Sequence, residues 1–277
     1  MENKNKTSRT LVNVIGIPSL LYIIYAGGEL FILLLAAIML IGAFELISLS
    51  KIKKADPFDW ILYGGLLGVC ALYYCGKGQT LEWIMFIVVM AMLFEVFRAS
   101  DSPFLNIAFI CLGMIWLGLL IGSMIHIRLE YGLGITLSMF LSIWTCDTFA
   151  FFFGKTFGNK KILPSISPNK TWLGSISGLL GSFLCMSIFY YGGDSYYGYL
   201  SPDFQLPVNF SLCNVLVLSF IYGFFGQLGD FAESAFKRDV GVKDSGDFLR
   251  GHGGILDRFD SLTFAAPLVL IYLKDFI

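Results

Sequence analysis

Between Asp230 and Asp260 the chain carries seven acidic side chains: Asp230, Glu233, Asp239, Asp244, Asp247, Asp257 and Asp260. Asp230 and Glu233 are three residues apart, as are Asp257 and Asp260. On helical backbone each pair would share one face. Carboxylates that close oppose each other's ionisation unless a cation lies between them. Hard divalent cations such as Mg2+ take carboxylate oxygens and tolerate an incomplete protein shell. Lys237, Arg238, Lys243, Arg250, His252 and Arg258 are interleaved with these acids. Metal-holding carboxylates beside cations suit phosphoryl or nucleotidyl transfer, where phosphate charge is neutralised and the reacting groups are held in line. The same spacing also fits a salt-bridged, solvated loop or a patch attracted to anionic headgroups.

Three further features could belong to such a site. "GHGG" at 251–254 permits close backbone approach or positive φ, or makes a tight turn. Within it, His252 could be a general base, a phosphate donor or a turn residue. "SISPNKT" at 165–171 places Ser167, Asn169, Lys170 and Thr171 just before an apolar run. A helix N-terminus with an adjacent lysine favours phosphate, and Ser or Thr there also caps a helix. Asp147 sits within an apolar run, where an ionisable group is costly and marks either function or a polar partner from another helix. Glu45, Glu82 and Glu95 fall near the ends of apolar runs, where they are expected to reach water, and receive no role.

The elements that must position these residues are apolar. The 277 residues are 56% hydrophobic and 14% charged, with mean hydropathy +0.74. A soluble domain carries nearer a quarter charged residues, so lipid is the expected solvent. Backbone groups in lipid must be satisfied internally, which requires helices. The expected fold is all-α: a polytopic integral membrane protein of about nine transmembrane helices forming a single membrane-embedded domain over 1–277. The spans fall at about 11–26, 29–49, 59–75, 81–97, 104–125, 132–153, 173–192, 210–229 and 261–277. The polar start "MENKNKTSRT" precedes a first span expected to be retained, because no small-residue cleavage site follows it. The net charge of −1 supplies no global basic field for nucleic acid. The six cysteines form no CxxC pair and are expected to pack as small hydrophobes.

With the N-terminus inside and alternation across nine spans, sixteen of the nineteen Lys and Arg fall on the inner side. Only Lys77, Arg128 and Lys274 fall outside. The positive-inside rule then predicts a cytoplasmic N-terminus and an external C-terminus. It places the loops 154–172 and 230–260 on the same, cytoplasmic face.

From Ser234 to Ser261, "SAFKRDVGVKDSGDFLRGHGGILDRFDS" resembles the signature of the phosphatidate cytidylyltransferase (CDP-diacylglycerol synthase) family. That pattern reads Ser-x-x-Lys-Arg, four residues, Lys-Asp, a short spacer, His-Gly-Gly, two residues, Asp-Arg, one residue, Asp. Ser234, Lys237, Arg238, Lys243, Asp244, His252, Gly253, Gly254, Asp257, Arg258 and Asp260 fill every position. "GQLGDFAES", "DTFAFFFGKTFG" and "SPNKT" are similar to other family segments. Asn169 stands where the family often has a second lysine, and Leu173 where a glutamate commonly follows.

The resemblance implies CMP transfer from CTP to phosphatidate, giving CDP-diacylglycerol and pyrophosphate. It also implies Mg2+ and a homodimer. Under it, Asp230 and Asp257 hold the metal, helped by Asp260 or Asp147 or joined by a second cation. Lys237, Arg238 and Lys243 hold phosphates of CTP or phosphatidate, with Asp244, His252 and Arg258 completing the catalytic set. Ser167, Asn169, Lys170, Thr171, Ser234, Gly253 and Gly254 bind substrate. The expected location is a bacterial plasma membrane, with the active site facing the cytoplasm. The competing readings are a polyprenol or phytol kinase, a cytidylyltransferase for another lipid, and a transporter. The last would spread ionisable groups through the middle of several spans.

Overall fold

A computed structural model describes residues 15–98, 100–192, 204, 206–207, 210–246 and 253–277. Among these the regular structure is helical, apart from one isolated antiparallel bridge between Lys161 and Thr171. The helices are α1 (Ile17–Ala26), α2 (Gly28–Ile52), α3 (Asp59–Tyr74), α4 (Thr80–Arg98), α5 (Pro103–Glu130), α6 (Gly132–Phe157), α7 (Trp172–Gly192), α8 (Leu212–Val240) and α9 (Leu256–Phe276). π-helical stretches lie within α5 at Met114–Ile121 and within α8 at Ile221–Phe225.

Among the described residues six helices are long and apolar enough to cross a membrane: α2, α4, α5, α6, α7 and α8. The chain is therefore a multi-pass helical membrane protein. The other three differ from the expected spans for separate reasons. The described part of α1 has ten residues, about 15 Å of helix against a hydrocarbon core of roughly 30 Å. α3 has only sixteen residues. α9 is long enough but carries Asp257, Arg258 and Asp260 at its start and Lys274 and Asp275 at its end, with Pro267 inside.

By internal contacts the chain forms two compact units. The first comprises 1–125 and 239–258. The second comprises 126–238 and 259–277.

In the first unit, α2, α3 and α5 pack together through glycines that admit neighbouring side chains closely. A Cβ on Gly113 would lie 2.7 Å from Leu62, and one on Gly42 would lie 3.0 Å from Leu117. Small residues of this kind let helices approach where lipid supplies no hydrophobic drive. Two buried carboxylates are held within this apolar packing, contrary to the expectation that they reach water. Glu95 is 3% exposed. It accepts from Ser100 Oγ (2.6 Å) and Asn106 Nδ2 (3.1 Å), with Arg98 Nη1 at 3.6 Å. Glu45 is 2% exposed. Only Glu82 is exposed as expected. A span end is wet only where nothing covers it: Ser100 and Asn106 cover Glu95, and Ser245, Ile255 and Leu256 cover Glu45.

In the second unit, α6 and α7 approach along a seam of small residues. A Cβ on Gly174 would lie 2.6 Å from the Ala150 carbonyl oxygen, and one on Gly178 would lie 2.9 Å from that of Cys146. The connection between the two helices folds back on itself. Ile162 N donates to Lys170 O (3.2 Å) and Trp172 N to Lys160 O (3.0 Å). Lys161 and Thr171 are thereby brought opposite one another. Thr171 Oγ1 accepts from Gly174 N (3.2 Å), capping α7. Cys70 and Cys146 are buried as expected, whereas Cys75 and Cys213 are exposed.

Candidate active site

The second unit contains a cavity of about 580 Å³, within the usual range for small-molecule sites. Gly154 and Gly174 of the α6–α7 seam line it. Asp147 on α6 and Asp230 on α8 contribute carboxylates to its wall. Lys155, Lys161 and Lys170 contribute cations, and Asn169 and Thr171 contribute polar groups from the folded-back loop.

α8 runs beyond its apolar portion to Val240, so the residues from Asp230 to Asp239 are helical and the three-residue spacing does share a face. Ser234 Oγ donates to Asp230 Oδ1 (3.3 Å), and Lys170 Nζ forms an ion pair with Asp230 Oδ2. The same ammonium lies 4.5 Å from the centre of the Phe231 ring, a cation–π contact that helps fix it. Asp260, on α9, lies within electrostatic range of Asp230, Asp147 and Lys170. Three carboxylates and one lysine thus share a single field in this unit.

Gln227, one turn before Asp230, is a polar residue of the cavity that spacing did not single out. Its Nε2 donates to the carbonyls of Gly223 (2.7 Å) and Ser175 (3.1 Å), and its Oε1 accepts from Ser175 Oγ. The Gly223 carbonyl belongs to the π-helical stretch of α8. Such bulges commonly adjoin functional sites.

Lys237 and Arg238 point to different partners. Lys237, 8% exposed, pairs with Glu233 at 2.5 Å, one turn back on α8. Arg238 is exposed, and its Nε donates to the Ile166 carbonyl (3.4 Å). Ser167 is half-buried beside it in the loop.

The signature residues from 239 to 258 belong to the first unit. Lys243, Asp244 and Arg258 are exposed. Lys53 Nζ pairs with Asp239 at 2.8 Å. Asp257, in the first turn of α9, accepts on Oδ2 from Gly254 N (2.7 Å) and Ser245 N (3.1 Å), and Ser245 Oγ stands 3.2 Å from the same oxygen. Gly253 has φ +80°, and a Cβ there would lie 2.6 Å from Asp257 Oδ2. At Gly254 a Cβ would collide with Ser245 Oγ and Glu45 Oε2. These glycines therefore serve close approach to the protein's own side chains. His252, with Asp247 and Arg250, lies outside the described residues.

Among the described residues no three His, Cys, Asp or Glu side chains are gathered to hold a metal. The donor chemistry of the cavity nevertheless suits Mg2+. That ion is usually held by one or two carboxylates together with water and substrate phosphate oxygens rather than by a full protein cage. Asp147 and Asp230 would supply the carboxylates, with Asp260 near them.

Known proteins share this arrangement of sequence from end to end. Residues 7–276 match the cytidylyltransferase family. The chain is 35% identical over 269 residues to a phosphatidate cytidylyltransferase of Staphylococcus aureus (strain COL), covering 96% of this chain and 98% of that protein. It is 32% identical over 281 residues to a phosphatidate cytidylyltransferase of Bacillus subtilis (strain 168), covering 97% of each. A third, from Staphylococcus epidermidis (strain ATCC 12228), is 33% identical over 274 residues, covering 96% of this chain and 98% of its own length. The match runs through both the cavity helices and the 234–261 signature, and the chain belongs to the cytidylyltransferase family.

Proposed function

We propose that this chain transfers CMP from CTP to phosphatidate, forming CDP-diacylglycerol and pyrophosphate for phospholipid synthesis. The observation that carries the reading is the cavity that sets Asp147 and Asp230 against Lys155, Lys161 and Lys170. Carboxylates for a metal and cations for phosphates occur there together, on helices apolar enough to keep a lipid substrate in the bilayer. A kinase acting on a polyprenol or phytol would use similar groups, but the family and the relatives' names do not favour it.

In this reading a phosphate oxygen of phosphatidate attacks the α-phosphorus of CTP. The new P–O bond forms as the bond to the β-phosphate oxygen breaks, and pyrophosphate leaves with the electron pair. A phosphate monoester is already largely ionised near neutral pH, so no dedicated general base is needed. Lys155, Lys161 and Lys170 hold the triphosphate against the wall, and the Lys170 ammonium offsets negative charge beside Asp230. Asp230 and Asp147 would hold Mg2+, with Asp260 close by. When bound, that ion supplies charge neutralisation on the phosphates and the leaving pyrophosphate. The family resemblance adds Asp257 to Asp230 as a metal ligand, with Asp147 or Asp260 helping. Lys237, Arg238 and Lys243 are the signature's phosphate-holding cations.

The finer topology belongs to the same proposal: nine crossings, N-terminus inside, C-terminus outside, a plasma membrane location and an active site open to the cytoplasm. The sixteen-to-three division of Lys and Arg supports it. The whole of 1–277 is read as the catalytic domain, and the homodimer rests on the family resemblance.

Metal removal tests the chemistry. The purified protein in detergent, given CTP and phosphatidate, should lose product formation in EDTA and regain it with excess Mg2+. Full activity in EDTA would remove the metal from the reading.

A further inference from the structure

We propose that Glu45 is a positioning residue for the catalytic signature: from α2 it caps the start of α9, the helix that carries Asp257, and it bonds Ser245, whose backbone amide holds that carboxylate. The inference deepens the proposed activity and rests on it. Glu45 is buried within an apolar helix, where a carboxylate is costly unless its lone pairs are used. All its recorded hydrogen-bond partners lie more than 190 residues downstream. Oε1 accepts from Ile255 N at 2.7 Å. Oε2 accepts from Ser245 Oγ at 2.8 Å and Leu256 N at 3.1 Å.

Ile255 N and Leu256 N are first-turn amides of α9, which have no carbonyl of their own helix to bond. A carboxylate facing them gains from charge-assisted hydrogen bonds and from the positive end of the helix dipole. Ser, Thr, Asp or Asn at the Ncap position can supply such a cap from within the helix. Here Ncap is Ile255, which offers none, and α2 supplies it.

Ser245 links this cap to Asp257. Its hydroxyl has one hydrogen and stands 2.8 Å from Glu45 Oε2 and 3.2 Å from Asp257 Oδ2. The shorter contact takes the proton, while the Ser245 and Gly254 amides hold Asp257. Gly246 and Gly254 leave room for the arrangement, since a Cβ on Gly246 would lie 2.9 Å from Glu45 Cγ. Every group Glu45 bonds lies within or between signature positions, so its removal should disturb the loop before it disturbs the helix bundle.

The test pairs steady-state CMP transfer with amide hydrogen exchange on the purified protein. Glu45→Gln keeps the size but turns one acceptor into a donor facing N–H and O–H groups. It should lower kcat by about 10-fold to 100-fold, the usual cost of losing a group that orients a site. KM for CTP should stay within about 2-fold if substrate contacts are intact. Exchange should rise across 243–257 and not elsewhere. Ser245→Ala should lower kcat in the same direction by less. Unchanged kcat in Glu45→Gln overturns the proposal, as does a fall in kcat matched only by the folded fraction with exchange raised throughout. If Glu45→Gln does not fold, Ser245→Ala decides: wild-type kcat and exchange overturn the proposal, and a local rise with lowered kcat supports it. A wild-type protein inactive on CTP and phosphatidate would instead sink the activity. The exchange arm would then still judge the loop, and unchanged protection of 243–257 in both variants would overturn the positioning role.

Discussion

Asp230→Asn is expected to lower CMP transfer by about 100-fold to 1000-fold, the scale of losing one charge-stabilising group at a reacting phosphate. The substitution changes charge and almost nothing else. Asn has the same size and can still accept from Ser234 Oγ, which stands 3.3 Å from Oδ1. It cannot pair with Lys170 as a full charge, and it is a poor ligand for a hard cation. Asp230 is half-exposed on a cavity wall, so folding and membrane insertion should survive. Steady-state assays beside a detergent melting curve would separate these effects. Lys170→Ala is the milder companion. Losing one charge-assisted contact should raise KM for CTP by about 10-fold, with a smaller effect on kcat. Turnover within a few-fold of wild type in Asp230→Asn would remove this carboxylate from the chemistry.

Asp257 calls for two substitutions, because the structure gives it work that the signature alone does not show. Its Oδ2 accepts from the Ser245 and Gly254 amides and so holds these two residues together. Asp257→Ala removes both the charge and the fastening, and should lower kcat by about 100-fold or more. Asp257→Asn keeps a side-chain oxygen that can accept from the two backbone amides. If catalysis uses the negative charge, Asn should be nearly as inactive as Ala, yet only Ala should raise hydrogen exchange at 245–254. An Asn variant close to wild type would make Asp257 a fastener of the loop, and the metal would fall to Asp230 and Asp147.

The parts of this site that were legible in the sequence depend on local rules. The three-residue spacing of Asp230 and Glu233 puts both on one face if the helix runs past its apolar portion, and the structure has helix to Val240. Asp147 stood out because an ionisable group in an apolar run is costly, and it lines the cavity. Thr171 satisfied the capping reading of "SPNKT", while its neighbour Lys170 reaches Asp230.

The parts that were not legible depend on partners far away in sequence. The rule that flags Asp147 applies equally to Glu45, but Glu45's place near a helix end reads as wet. What keeps it dry is a segment 200 residues downstream, and no local spacing encodes that. Glu95 is similar, held by Ser100 and Asn106 across a helix connection. Lys237 read as a phosphate ligand from the signature, and its burial against Glu233 became visible only once α8 was packed. Gln227 has an ordinary sequence context, and its importance lies in the Gly223 and Ser175 carbonyls that it joins.

The central claim is transfer of the nucleotidyl group of CTP to phosphatidate. It is tested most directly by giving the purified protein, in micelles containing phosphatidate and Mg2+, CTP labelled separately on the α- and γ-phosphates. The account predicts that the α-label enters the lipid fraction while the γ-label leaves as pyrophosphate, and that Asp230→Asn does neither. Appearance of the γ-label in lipid, with the α-label remaining in soluble CDP, would contradict it and identify a kinase.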